Sequence, residues 1–171
     1  ACCLPTWMIM IWRENWFLDG EHATVETGAE GMLFKAGPEF RNHAHHAVLW
    51  TRDSYAGDLR VDYEYTRTDE AVEAVTILYL QATGSGGEPY ARDIAAWREL
   101  REEPYMRVYF NHMHTYHISY AAFAMGNEDP QEDYIRARRY LPEADDGLKG
   151  TGLEPDYFRT GLFETGVPHD I

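Results

Sequence analysis

Residues 59–66 alternate with a period of two. Leu59, Val61, Tyr63 and Tyr65 fall on one side of an extended chain, and Arg60, Asp62, Glu64 and Thr66 on the other. Successive side chains of a strand point to opposite faces, so this pattern predicts a half-buried strand and argues against a helix. Residues 134–140 repeat the device, with Tyr134, Arg136, Arg138 and Tyr140 set against Ile135, Ala137 and Arg139. Residues 75–82 (Val-Thr-Ile-Leu-Tyr-Leu-Gln-Ala) are apolar on both faces, as a strand in the middle of a sheet must be. Residues 115–123 read the same way, and both runs are expected inside a sheet rather than on an edge.

The remaining segments fit this frame. Residues 23–26 and 32–36 are short enough for a hairpin, with glycines between them. Residues 47–51 form an apolar run that leads into a turn over 53–58, and the glycine-rich stretch 83–89 is a loop. Residues 93–103 are the one expected helix, with Ile94, Trp97, Leu100 and Arg101 near one face and Pro104 as its stop. Short strands with a single helical excursion predict an all-β antiparallel sandwich or barrel rather than a parallel α/β sheet. No repeat or linker divides the 171 residues, so residues 14–171 read as one domain behind an atypical segment, 1–13. The run 166–171 reads as the start of a strand. The expectation is a sandwich whose C-terminal strands are missing, with a sheet edge left open and apolar surface on the order of a few hundred Å² exposed.

Charge and cysteines exclude several classes. The formal net charge is −14, which repels nucleic acids and anionic membranes. Cys2 and Cys3 are the only cysteines and are adjacent, so neither a disulfide framework nor a zinc spacing exists. The apolar run 2–12 is far shorter than the ~20 residues of a membrane span. It reads as a signal remnant, a first strand or a cloning scar, which leaves cytoplasmic and extracytoplasmic locations both open. No P-loop, dinucleotide fingerprint, Gly-x-Ser-x-Gly elbow or His-Glu-x-x-His motif occurs.

The candidate chemistry sits on the late strands. Arg136 and Arg138 share a face about 7 Å apart, from two residues at the strand rise. Two guanidiniums this close repel unless a bound anion or nearby carboxylates intervene, and Arg grips a carboxylate bidentately. Histidines cluster at His43, His45 and His46 and at His112, His114 and His117. β-Elimination from a uronate sugar needs the carboxylate neutralised, a base for the C5 proton and an acid for the leaving oxygen. Gln81, His117 and Tyr120 are the catalytic candidates, and Arg136, Arg138, His45 and His46 the substrate-binding ones. His117 and Tyr120 lie three residues apart, so a regular strand cannot aim both into one cleft; His117 is preferred, with Tyr116, Ile118 and Tyr120 filling the core. The scheme calls for no metal and no cofactor. The alternative is hydrolysis by Asp62 and Glu64, two acids on one strand face. A His117 buried with both ring nitrogens engaged would end its catalytic assignment and move that alternative ahead.

Five stretches carry a resemblance: Asn15-Trp-Phe-Leu-Asp-Gly20, His45-His-Ala-Val-Leu-Trp50, Val75-Thr-Ile-Leu-Tyr-Leu-Gln-Ala-Thr-Gly84, Thr115-Tyr-His-Ile-Ser-Tyr120 and Tyr134-Ile-Arg-Ala-Arg-Arg-Tyr140. In this order they resemble the bacterial YesU-like family, domain of unknown function 1961, from about Trp16 onward. The resemblance implies a concanavalin A-like (jelly-roll) lectin/glucanase sandwich and a setting in polysaccharide degradation, pectin included. It implies no agreed catalytic residues. Family members continue past Ile171, and residues 1–13 do not look like their opening strand. The preferred reading is an enzyme that cleaves an acidic plant or algal polysaccharide or oligosaccharide, a lyase before a hydrolase. A non-catalytic carbohydrate-binding module and a sandwich with no sugar site are the competing ones. An enzyme would set a His or acid in a groove, and a module would show exposed aromatics without one.

Overall fold

A computed structural model describes residues 12–171. The adjacent cysteines and most of the atypical segment 1–13 lie outside them. The described chain is mostly β, with every strand pair antiparallel. The centre is a four-stranded sheet of β6 (Ala74–Gly84), β7 (Met113–Phe123), β8 (Tyr134–Tyr140) and β9 (Gly152–Phe158), in that order. Around it stand three two-stranded pairs. These are β1 (Trp16–Asp19) with β4 (Val48–Thr51), β2 (Thr24–Gly28) with β3 (Gly31–Lys35), and β5 (Glu64–Thr66) with β10 (Pro168–Asp170).

The predicted hairpin 23–36 and the strands at 47–51 and 134–140 are present to within a residue or two. Other expectations are corrected. Residues 115–123 are central, but the doubly apolar run 75–82 is an outer strand of its sheet, and Val75 is 41% exposed. A β-bulge near Gln81 disrupts the ladder of this outer strand, which is one way that edges are blunted. Of the alternating run 59–66, only Glu64–Thr66 pairs as a strand, and Leu59 and Val61 stay about half exposed because no layer covers them. The expected helix 93–103 is a 3₁₀ segment, Ile94–Arg101, broken by a non-helical Trp97. A helix absent from the sequence reading, α2 (Met106–His112), follows Pro104; a first short turn, α1, spans Trp12–Asn15.

The two faces of the central sheet are covered by different elements. On one, Phe17 and Trp50 of the β1–β4 pair, Trp97, and Tyr109 of α2 pack on Met113 and Tyr140. On the other, Tyr63, Tyr65 and Phe163 pack on Tyr120 and Ala121. The first cluster is pinned by a buried ion pair. Asp19 and Arg101 are 2% and 0% exposed, with Arg101 Nε 2.6 Å from Asp19 Oδ2. Trp50 Nε1 at 2.7 Å and the Tyr109 hydroxyl at 3.0 Å donate to the same oxygen. Burial raises the Asp19 pKa, against the pull of Arg101 and the other donors.

A buried ion that loses its partner is costly. Arg101→Met strands Asp19 and should lower the unfolding free energy by about 3–5 kcal/mol in urea titration. A loss near zero would mean that water reaches the carboxylate.

Candidate functional site

The first-cluster face of the central sheet carries the arginines. His117 of β7 lies between Tyr79 of β6 and Arg138 of β8, and Ser119 between Ile77 and Arg136. Alternation therefore aligns Tyr79, His117, Ser119, Arg136, Arg138 and Tyr140 on one side of the sheet. Three residues singled out from sequence, His117, Arg136 and Arg138, share this face. Tyr120 is on the opposite side, with its hydroxyl accepting from that of Tyr63 at 3.1 Å. Gln81 leaves the face altogether. It has φ +56° at the bulge between Leu80 and Thr83, and its side chain is exposed, so parity along β6 is interrupted where it was expected to aim inward.

The expected orientation of β7 is also corrected. Tyr116, Ile118 and Tyr120 were to fill the core and His117 to face the cleft. Tyr120 does fill the core, in the second cluster, but Met113, Thr115, His117 and Ser119 are all buried too, while Tyr116 and Ile118 are half-buried. The β1–β4 pair and α2 cover the polar side. His117 is 6% exposed, and both its ring nitrogens are engaged. The Tyr140 hydroxyl donates to Nδ1, Nε2–H meets Ser119 Oγ at 3.1 Å, and Ser119 donates to the Arg136 carbonyl at 3.3 Å. The Tyr79 ring packs beside both, 5.6 Å from His117 and 6.2 Å from Tyr140, and its hydroxyl donates to Met106 Sδ at 3.7 Å. Burial first, then the charges of Arg138 and Arg136, depresses the His117 pKa to about 4. Burial raises Tyr140 to about 12. At neutral pH this is a neutral, saturated chain of hydrogen bonds, with no ring nitrogen free to take a substrate proton.

The two arginines have separate circumstances. Arg136 is satisfied: its Nη2 and Nε lie 2.6 and 2.7 Å from Asp156 Oδ2, and its guanidinium stacks on Tyr134 at 5.0 Å and Phe158 at 5.9 Å. Arg138 donates only to neutral oxygens, Thr151 Oγ1 at 3.1 Å and the Leu148 carbonyl at 3.4 Å. Among the described residues no carboxylate lies within 4 Å of it. It is half-buried beside the neutral Tyr140–His117 pair.

His45 and His46 belong to a different cluster, on and just after a 3₁₀ turn at His43–His45. His45 is buried, accepts the Glu39 N–H at 2.9 Å and stacks on His22 at 4.3 Å. His46 bonds through Nδ1 to the Pro104 carbonyl at 3.3 Å. Their hydrogen bonds and ring contacts do not reach the arginines. Asp62 and Glu64 are both exposed, and Asp62 is held by Arg60 at 2.8 Å, so the hydrolytic pair sits in open solvent. Sequence reasoning missed Tyr79, Tyr140 and Asp156. Tyr140 was legible, because it falls on the alternating face of Arg136 and Arg138. Asp156 was not, because β9 contains Pro155 and reads as loop. Among the described residues no group of three or more His, Cys, Asp and Glu is arranged to hold a metal ion, and no helix is long and apolar enough to cross a membrane. Comparison with family models, curated proteins and solved structures finds no match to this chain.

The depressed His117 pKa makes stability pH-dependent. The unfolded chain binds the proton near pH 6.5 and the folded one only near pH 4, so stability is full above pH 6.5 and is lost as pH falls toward 4. The loss should total on the order of 3 kcal/mol. His117→Gln should flatten this portion of the stability–pH curve, measured by urea titration at intervals from pH 7 to 4. A curve unchanged by the substitution would refute the role.

Proposed function

We propose that this chain recognises an acidic saccharide, with Arg138 as the anchor for a uronate carboxylate. The supporting observation is a half-buried guanidinium without a carboxylate partner, next to a satisfied one, in a chain of net charge −14. Carboxylates are plentiful in this sequence, yet Asp156 is spent on Arg136. The vacant valence of Arg138 suits an exogenous anion, and a planar carboxylate matches its fork of N–H donors. Tyr140 and His117, neutral beneath it, add no competing charge. The proposal includes the concanavalin A-like sandwich and the YesU-like kinship, on the strength of the five stretches and of a four-stranded antiparallel sheet with the two-stranded β1–β4 pair packed on one face.

β-Elimination is the second reading, resting on the Tyr140–His117 pair on the arginine's face, and the engagement of both His117 ring nitrogens and the burial of the ring count against it. Chemistry there requires the pair to be uncovered when substrate binds, since both residues are buried. Binding without turnover is what the geometry supports first.

Titration calorimetry with trigalacturonate at pH 7 and low salt tests the binding. Arg138→Ala should weaken it by about ten- to a hundredfold, the span of one charge-assisted hydrogen-bonded contact. The wild-type affinity should fall as salt rises. Undiminished affinity in the variant would sink the proposal. Incubation with polygalacturonate and alginate separates the readings, because elimination creates the unsaturated-uronate absorbance band and binding does not.

A further inference from the structure

Half of the chain's eight histidines meet at one place away from the arginine face. His22 lies in the turn between β1 and β2, His43 and His45 on the 3₁₀ turn, and His46 just after it. The rings touch in pairs. His22 stacks on His45 at 4.3 Å, and His43 meets His46 edge-on at 5.3 Å. The second pair reaches the start of α2. His46 donates through Nδ1 to the Pro104 carbonyl at 3.3 Å, and His43 packs on the Tyr105 ring at 4.1 Å. Tyr105 caps α2 without a side-chain hydrogen bond, so these two imidazoles tie down a helix end that lacks a side-chain cap of its own.

His45 sets the charge that the cluster tolerates. It is 8% exposed, and its Nδ1 accepts the Glu39 N–H at 2.9 Å. A ring that accepts at Nδ1 carries its proton on Nε2 and is neutral. A second proton, at Nδ1, would set two donors against each other, so it requires the loop to move away. The loop has no slack in place: Gly37 donates to the His45 carbonyl at 2.9 Å, and a Cβ on Gly37 would fall 2.6 Å from Nδ1.

The charges around the cluster do not offset this. Glu39 Oε2 is 3.7 Å from His45 Nε2, but the side chain is exposed and already accepts from the Asn42 amide at 2.8 Å, so its attraction is screened. Glu21 beside His22 and Glu103 before Pro104 are exposed. Arg41 is bound to Glu73 at 2.9 Å, and Arg107 stands over the Tyr105 ring at 5.8 Å. Within each ring pair, the second imidazole to protonate meets a like charge. Burial first, and His43 after it, hold the His46 pKa down, against the Pro104 carbonyl, which raises it. A histidine pKa lowered by folding gives contacts that are complete above about pH 6.5 and are lost as pH falls below it.

We infer that these four histidines are a pH-operated latch: neutral, they fasten the 37–46 loop to the start of α2, and protonated in mild acid they release both. Because α2 carries Tyr109 onto the aromatic cluster, release loosens the cover over His117 and Tyr140. The inference does not rest on the Arg138 reading.

The test is amide hydrogen exchange by NMR at pH 7 and pH 5, expressed as protection factors so that the intrinsic pH dependence of exchange cancels. The amides to follow are Glu39, His45, His46 and Val108, whose N–H bonds belong to the loop and the first turn of α2. Their protection should fall by about tenfold or more between pH 7 and pH 5. The amides of His117 and Ser119 should keep theirs, because the His117 ring stays neutral down to about pH 4. Imidazole ¹⁵N shifts should show His45 in its Nε2–H form at pH 7. His45→Asn offers Glu39 an acceptor that does not titrate, and His46→Asn keeps a donor for Pro104. Each variant should retain the protection seen at pH 7, and the two together should remove the pH dependence. Should His45→Asn not fold, His46→Asn alone must still diminish the fall at Val108. Equal protection at both pH values, an equal fall at His117 and Ser119, a fall that spares Val108, or a fall undiminished in the variants would each overturn the inference.

Discussion

Three donors from three different elements converge on one oxygen of Asp19. Arg101 comes from the 3₁₀ segment, Trp50 from β4 and Tyr109 from α2. Among the described residues nothing donates to the other oxygen, Oδ1, which is also buried. Apolar packing alone is non-directional and would let these pieces slide over the sheet. A buried carboxylate tolerates one arrangement, because every donor that drifts away leaves the charge less compensated. The network therefore fixes where α2 and the β1–β4 pair lie. Their position decides which side of β7 is covered, and so why His117 is buried and Arg138 is not.

That cover divides one strand face into two regimes. Under α2 and the β1–β4 pair, Tyr79, His117 and Tyr140 are packed against aromatic rings and kept neutral by desolvation. From Tyr140 back along β8 the burial lessens, and the residues on this face, Arg138 and Arg136, are charged. The order matters physically. A guanidinium placed under Trp50 and Tyr109 would need a buried counterion of its own, as Arg101 does. At the margin of the cover, Arg138 retains enough water to stay charged without one.

Much of this was readable from period two. The faces of β7 and β8 and the register set of Arg136, Arg138 and Tyr140 follow from alternation, and the hairpin β2–β3 from two short segments with glycines between them. The inside and outside of β7 did not. Both of its faces carry aromatic or apolar residues, so alternation separates the faces without saying which one meets the larger layer. The covering layer comes from α2 and from the kinked 3₁₀ segment, and their signals are weak. Tyr105 caps α2 without a side-chain hydrogen bond, and Trp97 interrupts the helical period that Asp93 opens. Asp19, the residue on which the packing turns, looks in sequence like one more acid before a glycine.

The bulges were the least legible feature and have the widest effect. In β7, Ser119 pairs with Arg136 but Ala122 pairs with Tyr134, so three steps on one strand match two on the other. The extra residue is accommodated at Ala121, with φ +44°, a conformation no sequence rule assigns to alanine. A one-residue slip reverses every side chain beyond it. Without the bulge, Phe123 would continue the His117–Ser119 face; with it, Phe123 crosses to the Tyr120 face and becomes part of the wall beside Arg67. The bulge near Gln81 acts on β6 in the same way: it ejects Gln81 and returns Ala82 to the aromatic cluster around Trp50. Two local departures from period two thus determine which residues the arginine face keeps and which line the cavity on the reverse, beside Phe123, Phe163 and Arg67, which is why the sequence pattern could place the arginines but not the cavity.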